Sequence, residues 1–266
     1  MKNKYGIFTL SGKTALVTGA TGHLGSVFAL ILAEAGANVL VNSRSHERCN
    51  HLVEEIRSKG FNATHAVFDV TSEEDIKKFA LRMSEQPLHI IVNNAYAGIP
   101  GNFQNSDAQH YADSYETTVS SAHMILKNLL PNLRQAVKEH QDASVINIAS
   151  MYGIVSPDQR IYGSSFDANP PFYGAAKAAL IQWSRYIGCE LGVEGIRVNA
   201  ISPGPFPAEY VKKSAPEFIE KLSYKVPLNR VGSPSELEGP LLFLASKASS
   251  YVTGSNLVVD GGWTSW

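Results

Sequence analysis

A chain of 266 residues, 44% of them hydrophobic, is long enough for one large α/β domain and short for two. Its formal net charge of −1 makes no electrostatic case for nucleic acid or an anionic membrane surface. Two cysteines, Cys49 and Cys189, form no disulfide framework, the opening segment through Gly19 lacks the apolar core of a signal peptide, and no run approaches the ~18 apolar residues of a membrane span; the expectation is a cytoplasmic protein.

Thr14–Thr18 is a β-branched, apolar run that ends in the turn Gly19-Ala20-Thr21-Gly22-His23-Leu24-Gly25. Ser26–Ala35 reads as a helix closed by Gly36, and Asn38–Val41 as a second strand. Strand, glycine turn, helix and strand within about 30 residues make a βαβ unit. In such a unit the glycines let backbone approach a pyrophosphate, and the helix N-terminus offers N–H donors and positive dipole. The second strand runs out into Asn42-Ser43-Arg44. An acidic residue there would bind the ribose 2′-hydroxyl of NAD; Ser43 stands instead, and Arg44 suits a 2′-phosphate. The pattern favours NADP, with NAD as the alternative; the plain competing reading is a solvated Arg44.

His46, Cys49 and His51 resemble metal ligands superficially, but offsets of three and five along a helix His46–Lys59 do not converge on one face, so no metal site is expected. Ala63–Val70 reads as a third strand, and Thr71 with Glu74 as a capping box for a helix running to about Gln86. Leu88–Val92 is a fourth strand, and Tyr96–Tyr111 a polar loop. Asp113–Leu130 reads as a long helix stopped around Pro131, with Arg134–His140 as its continuation or a second short helix. The apolar run Val145–Ile148 is a buried strand ending at Ser150. Met151–Phe172 reads as a loop that walls a substrate pocket, and Tyr96, Tyr152, Arg160 and Tyr162 are its candidate substrate contacts; Arg160 could instead pair with Asp158 or Asp167.

Tyr173 and Lys177 follow on a helix extending to about Leu191, four residues apart and hence on one face. A free phenol, with a pKa near ~10, is a poor acid or base at neutral pH. A neighbouring cation favours phenolate and brings that pKa toward the working range. A Ser150 hydroxyl beside the pair can polarise a substrate oxygen. Tyr-x-x-x-Lys is common on surface helices, so the surrounding chain decides its meaning. Arg197–Ile201 is a sixth strand, ending Ser202-Pro203-Gly204; Pro205–Pro227 holds one or two short amphipathic helices whose Lys212 and Lys213 read as a solvated face. Ser233-Pro234-Ser235-Glu236 starts a helix that Pro240 should bend, and Leu257–Val259 is a seventh strand. Strands alternating with helices throughout predict a single α/β domain over 1–266: a Rossmann fold with a doubly wound parallel sheet of about seven strands and an insertion at about 151–172.

Nearly the whole chain resembles the short-chain dehydrogenase/reductase family, through TGATGHLG, NNA, the serine of VINIAS, YGAAK, RVNAISPG and the ending from PLNRVGSPSELEG to VVDGG. The resemblance implies a hydride-transferring enzyme using a nicotinamide cofactor and a small-molecule substrate. In it Tyr173 exchanges a proton with the substrate oxygen, Lys177 binds the nicotinamide ribose and lowers the tyrosine pKa, and Ser150 bonds the substrate oxygen. Gly19 to Gly25, Ser43, Arg44, Asp69, Val70, Asn93, Ala95, Pro203 and Gly204 would line the cofactor. A homodimer or homotetramer is implied, with the C-terminal tail at an interface.

The chain departs from the family pattern in several places. His23 occupies a position usually held by glycine. Thr118, thirteen residues before Pro131, stands where an active-site Asn commonly holds a water in a proton relay. The separation of Ser150 from Tyr173 is also wider than usual. The insert MYGIVSPDQRIYG resembles reductases of surface-glycan and flagellin-sugar pathways. The expected function is thus an oxidoreductase interconverting a ketone and a secondary alcohol on a polar, sugar-like substrate. A 3-oxoacyl-carrier-protein reductase is the second reading, and a non-catalytic nucleotide-binding scaffold is the alternative from another class.

Overall fold

The computed structural model describes residues 6–163 and 168–266; Asp167, one offered partner of Arg160, lies outside them. Seven strands form one sheet, all parallel: β1 (Thr14–Val17), β2 (Asn38–Ser43), β3 (Ala63–Val67), β4 (Ile90–Asn93), β5 (Ala143–Ile148), β6 (Ile196–Pro203) and β7 (Asn256–Val259). Their spatial order is β3-β2-β1-β4-β5-β6-β7, the doubly wound α/β arrangement expected. Between them run α1 (His23–Glu34), α2 (His46–Ser58), α3 (Glu73–Met83), α4 (Ala108–Tyr115), α5 (Ser121–His140), α6 (Pro171–Leu191), α7 (Glu209–Ser214), α8 (Pro216–Lys225) and α9 (Glu238–Ala245).

The central strands are apolar on both faces because helices cover both. Ala15 and Val17 of β1 point into a core shared with Phe28 of α1, Ile56 of α2 and Leu241 of α9. Leu16, between them, points the other way, into a core with Ile76 of α3, Ile125 and Leu129 of α5 and Leu191 of α6. Burying each such Leu or Ile contributes about 1.5–3 kcal/mol, which is what holds the strand ends at the site in register.

Five local expectations change. Helix α1 starts at His23, three residues early, with Gly22 as its N-cap. The cap of α3 is Ser72, whose hydroxyl accepts from the Asp75 amide at 3.2 Å; Thr71 instead donates to Asp69 at 2.8 Å. The 96–111 loop ends early, because Asp107 caps α4 through the His110 amide. Pro131 does not stop its helix: α5 runs through it to His140, since Pro131 and Lys127, whose carbonyl it frees, face solvent while Leu129 and Leu133 hold the helix down. Pro240 falls near a helix start instead of inside a long helix, because a 3-10 turn, Pro234–Leu237, precedes α9. It is the third residue of α9, where the amide has no intrahelical bond to lose.

The N-terminal edge of the sheet carries two buried polar groups that the sequence did not announce. Asp142 accepts from Arg197 at 2.9 Å and from Lys13 at 3.3 Å, and Arg197 also reaches the Ser246 carbonyl and the Ser249 hydroxyl. His89, 1% exposed, accepts the Thr14 amide on Nδ1 at 3.0 Å, so its proton sits on Nε2 and points to His140 Nδ1 at 2.9 Å. Burial holds its pKa down to about 4 from 6.5. A folded pKa below the unfolded one means no penalty above pH ~6.5 and a growing one as pH falls toward 4, because the unfolded chain takes up the proton first. The wild type is therefore expected to lose about 2 kcal/mol more stability than His89→Gln between pH 7 and pH 5, measured by urea unfolding. Parallel losses in the two proteins would show that His89 does not titrate this way.

Candidate active site

The sheet order reverses between β1 and β4, and the helices that follow those strands leave on opposite faces. The crevice above that point is a cleft of about 650 Å³. Its floor at one end is the turn 19–25. Gly19 has φ +58°, and a Cβ there would stand 2.8 Å from the Ala95 Cα; one on Gly25 would overlap the Gly19 carbonyl. The amides of His23, Leu24 and Gly25 open the first turn of α1 and have no carbonyl four residues back within that helix. A turn with glycine at its close approaches, beneath the N-terminus of a helix twelve residues long, fits the pyrophosphate of a dinucleotide.

The turn is braced from both sides. Asn42 accepts the Gly19 amide at 3.3 Å while its own amide donates to the Ala66 and Phe68 carbonyls. Asn94 donates to the Thr18 and Gly19 carbonyls. His23, in place of a glycine, lines the cleft together with Phe206, its Nε2 lying 3.0 Å from the Phe206 carbonyl. At the far end of this half of the cleft stand Ser43 and Arg44, with Arg44 3.8 Å from Asp69 and its side chain 74% exposed. Arg48, which the sequence reading passed over, lies beside them and donates to the Thr21 carbonyl at 2.9 Å. Its signal was available: it sits four residues after Arg44, in the first turn of α2.

At the other end of the cleft Ser150, Tyr173 and Lys177 converge. Ser150 follows β5, and its hydroxyl accepts the Tyr152 amide at 3.1 Å and bonds the Tyr173 phenol. Pro171 opens α6, which places Tyr173 and Lys177 on its cleft face. Lys177 is buried and donates to the Ile148 carbonyl at 2.7 Å. Burial brings its pKa down to about 8. Burial also pushes the Tyr173 phenol up, and the Ser150 bond pulls it part of the way back. The lowering expected from Lys177 is not what these residues produce by themselves: the ammonium lies 5.6 Å from the ring centroid and bonds a carbonyl rather than the phenol. At neutral pH the phenol is therefore proton-loaded and the amine charged.

The remaining expected residues divide. Thr21, Gly22, Leu24, Asp69, Val70, Ala95, Tyr96, Pro203 and Gly204 all line the cleft. Asn93 does not: it is buried beneath, with its amide on Asn147 at 2.8 Å, and Asn94 takes the wall. Thr118 lies in a π-helical turn, Glu116–Ser120, between α4 and α5, with its hydroxyl buried and unpartnered among the described residues, while Thr117 reaches the cleft. Arg160 is on the surface, held by Asp158 at 2.8 Å, and Lys225 pairs with the same carboxylate. Tyr152 and Tyr162 share a hydroxyl contact at 3.2 Å and pack with Tyr173, Phe218, Leu222 and Trp263. Trp263 is thus buried in this cluster, and the tail's exposed aromatic is Trp266. His46 packs on His65, Cys49 is buried, and no group of three or more His, Cys, Asp or Glu fit to hold a metal occurs among the described residues. No described helix is long and apolar enough to cross a membrane.

The family model described as enoyl-(acyl carrier protein) reductase matches residues 19–264. The chain is 33% identical over 260 residues to the rhamnolipids biosynthesis 3-oxoacyl-[acyl-carrier-protein] reductase of Pseudomonas aeruginosa, covering 96% of this chain and 98% of that one. Its fold superposes on the RhlG/NADP active-site complex of the same organism with a TM-score of 0.87 at 32% identity, covering 98% and 99%. It also superposes on a gluconate 5-dehydrogenase from Burkholderia cenocepacia in complex with NADP and tartrate, with a TM-score of 0.86 at 27% identity, covering 98% of each. The glycine cradle at the β1/β4 reversal, the Ser150, Tyr173 and Lys177 side chains at its far end and these likenesses agree, and the chain belongs to the short-chain dehydrogenase/reductase family of oxidoreductases.

Proposed function

We propose that the protein is an NADP(H)-dependent reductase that converts a ketone into a secondary alcohol on a compact, hydroxylated substrate of the sugar or sugar-acid kind, acting in the cytoplasm as a homo-oligomer. The observation that carries the reading is the pairing of ends in one cleft: a proton-loaded phenol with its hydroxyl and ammonium neighbours at one, and two guanidinium groups at the other. The bound dinucleotide would supply the hydride. Ser150 and Tyr173 hold the substrate oxygen, and Tyr173 delivers the proton as charge builds there. The Lys177 ammonium, with one of its three donors on the Ile148 carbonyl, has donors left for a ribose hydroxyl and stabilises the phenolate that Tyr173 becomes. Arg44 and Arg48 would embrace a 2′-phosphate, since β2 ends in Ser43 rather than a carboxylate.

The substrate class is supported by the tyrosines Tyr152 and Tyr162, which share a hydroxyl contact in the cluster packed against Tyr173, and by the likeness to a gluconate 5-dehydrogenase. A second reading, reduction of a 3-oxoacyl thioester, is favoured by the apolar backing of those tyrosines, Met151, Ile161, Phe218, Leu222, Val226 and Trp263, and by the Pseudomonas relative.

By fluorescence titration NADPH is expected to bind about 10- to 100-fold more tightly than NADH, with Arg44→Ala and Arg48→Ala each removing part of the difference. Equal affinities would overturn the NADP assignment, and binding of neither would point to a scaffold. In a panel of keto-sugars and 3-oxoacyl thioesters, reduction should be fastest with the keto-sugars; turnover of the thioesters alone would establish the second reading. Tyr173→Phe should lower kcat by about a hundredfold or more while NADPH still binds. Because the charged form of Lys177 is lost as pH rises past about 8, kcat for reduction should fall above that pH and hold level below it; a flat profile from pH 7 to 9.5 contradicts the ammonium's part.

A further inference from the structure

Lys177 is an ammonium with little company. It is 4% exposed, it bonds one carbonyl, and it joins no ion pair among those of the described residues. Burial is the only influence shifting its pKa, so no charged side chain from the strands or helices around it offsets the desolvation. An isolated buried cation is costly unless something with negative electrostatic character faces it. Two aromatic rings do. The ammonium lies 5.4 Å from the ring centroid of Tyr96 and 5.6 Å from that of Tyr173, and the rings meet edge to face, 4.9 Å apart at 71°. The ring quadrupole makes both contacts attractive, more so out of water.

Tyr96 is also held still. Its hydroxyl lies beside Ser114 of α4, which favours its charged form and whose own hydroxyl donates to the Phe172 carbonyl, one residue before Tyr173. Gly98 leaves the room it needs: a methyl there would overlap the phenol oxygen. Burial pushes its pKa up to about 12, so the ring stays neutral while Tyr173 works beside it. Such bracing is more than a residue needs that merely touches substrate.

We propose that Tyr96 is a positioning residue of the catalytic site, its ring face carrying the Lys177 ammonium and its edge-to-face contact fixing the Tyr173 ring. The role rests on the reductase reading for its consequence in turnover, but not for its effect on Lys177. The ring, rather than the hydroxyl, is the working part. Without it the buried ammonium loses one of its two π partners and deprotonates more easily, and the phenol loses one wall.

The test compares Tyr96→Phe, which keeps the ring, with Tyr96→Leu, which does not; Tyr96→Met carries the same comparison should the leucine variant fail to fold. The Lys177 Cε resonance in protein with carbon-labelled lysine, assigned by its disappearance in Lys177→Arg, is followed against pH with no substrate added. The midpoint should fall by about one unit in the leucine or methionine variant and stay within a few tenths in Tyr96→Phe. With whichever substrate the wild type reduces, kcat should fall about tenfold or more in Tyr96→Leu, with its decline moved to lower pH, and remain within about twofold in Tyr96→Phe. An unmoved Lys177 midpoint in the ring-less variants, or equal damage from Tyr96→Phe, overturns the proposal. A wild type that reduces nothing in the panel sinks the reductase reading, and the Lys177 titration still decides the role of Tyr96.

Discussion

The structure depends on one close approach. Where the sheet order reverses, the Gly19 backbone passes so near Ala95 that no side chain fits between the end of β1 and the segment after β4. That contact closes the bottom of the cleft and leaves its top open. Everything that binds there is placed by it: the α1 amides on one side, Tyr96 one residue beyond Ala95 on the other. Asn42 and Asn94 serve the contact by satisfying backbone groups of the Thr18–Gly19 turn that neither helix nor sheet could reach.

The two ends of the cleft treat positive charge in opposite ways. At the β2 end, Arg44 and Arg48 are exposed and planar, cost little to keep charged, and rest against Asp69 and the Thr21 carbonyl. At the β5 end, Lys177 is buried, close to its limit of protonation at neutral pH, and supported by a carbonyl and two π-faces. In the proposed function the first end recognises, which tolerates solvent, and the second handles protons, which needs its exclusion.

Much of this was legible in the chain because it is local. The turn 19–25, the Ser43-Arg44 pair after β2 and the Tyr173–Lys177 spacing are short-range patterns, and each fixes where a side chain points once strand or helix is granted. What was not legible depends on contacts between distant segments. Pro131 reads as a stop, yet solvent on that side of α5 and Leu129 and Leu133 on the other override it. The π-helical turn at Glu116–Ser120 brings Thr117 rather than Thr118 to the wall, and nothing in single-residue propensities signals an extra residue in a turn. The buried trio of Lys13, Asp142 and Arg197 spans three segments, and its members look like ordinary surface charges in sequence.

The insertion shows how the same limit bears on substrate recognition. Its polar sequence suggested a polar pocket wall with Arg160 as an anion clamp. In the fold, Asp158 holds Arg160 and Lys225 together, so both charges are spent joining the insertion to the end of α8. Lys212 is likewise engaged by Glu209. The polar residues of the insertion thus serve as fasteners at the surface, and the face turned inward is aromatic: Tyr152, Tyr162 and the buried Trp263. None of these cations, and neither Tyr152 nor Tyr162, lines the cleft, whose wall beside Tyr173 includes Tyr96, Ala97 and Thr117. Under the proposed function a substrate would therefore be discriminated by shape and hydrogen bonding, where a missing substrate hydroxyl leaves a protein hydroxyl unpaired and is disfavoured, rather than by charge.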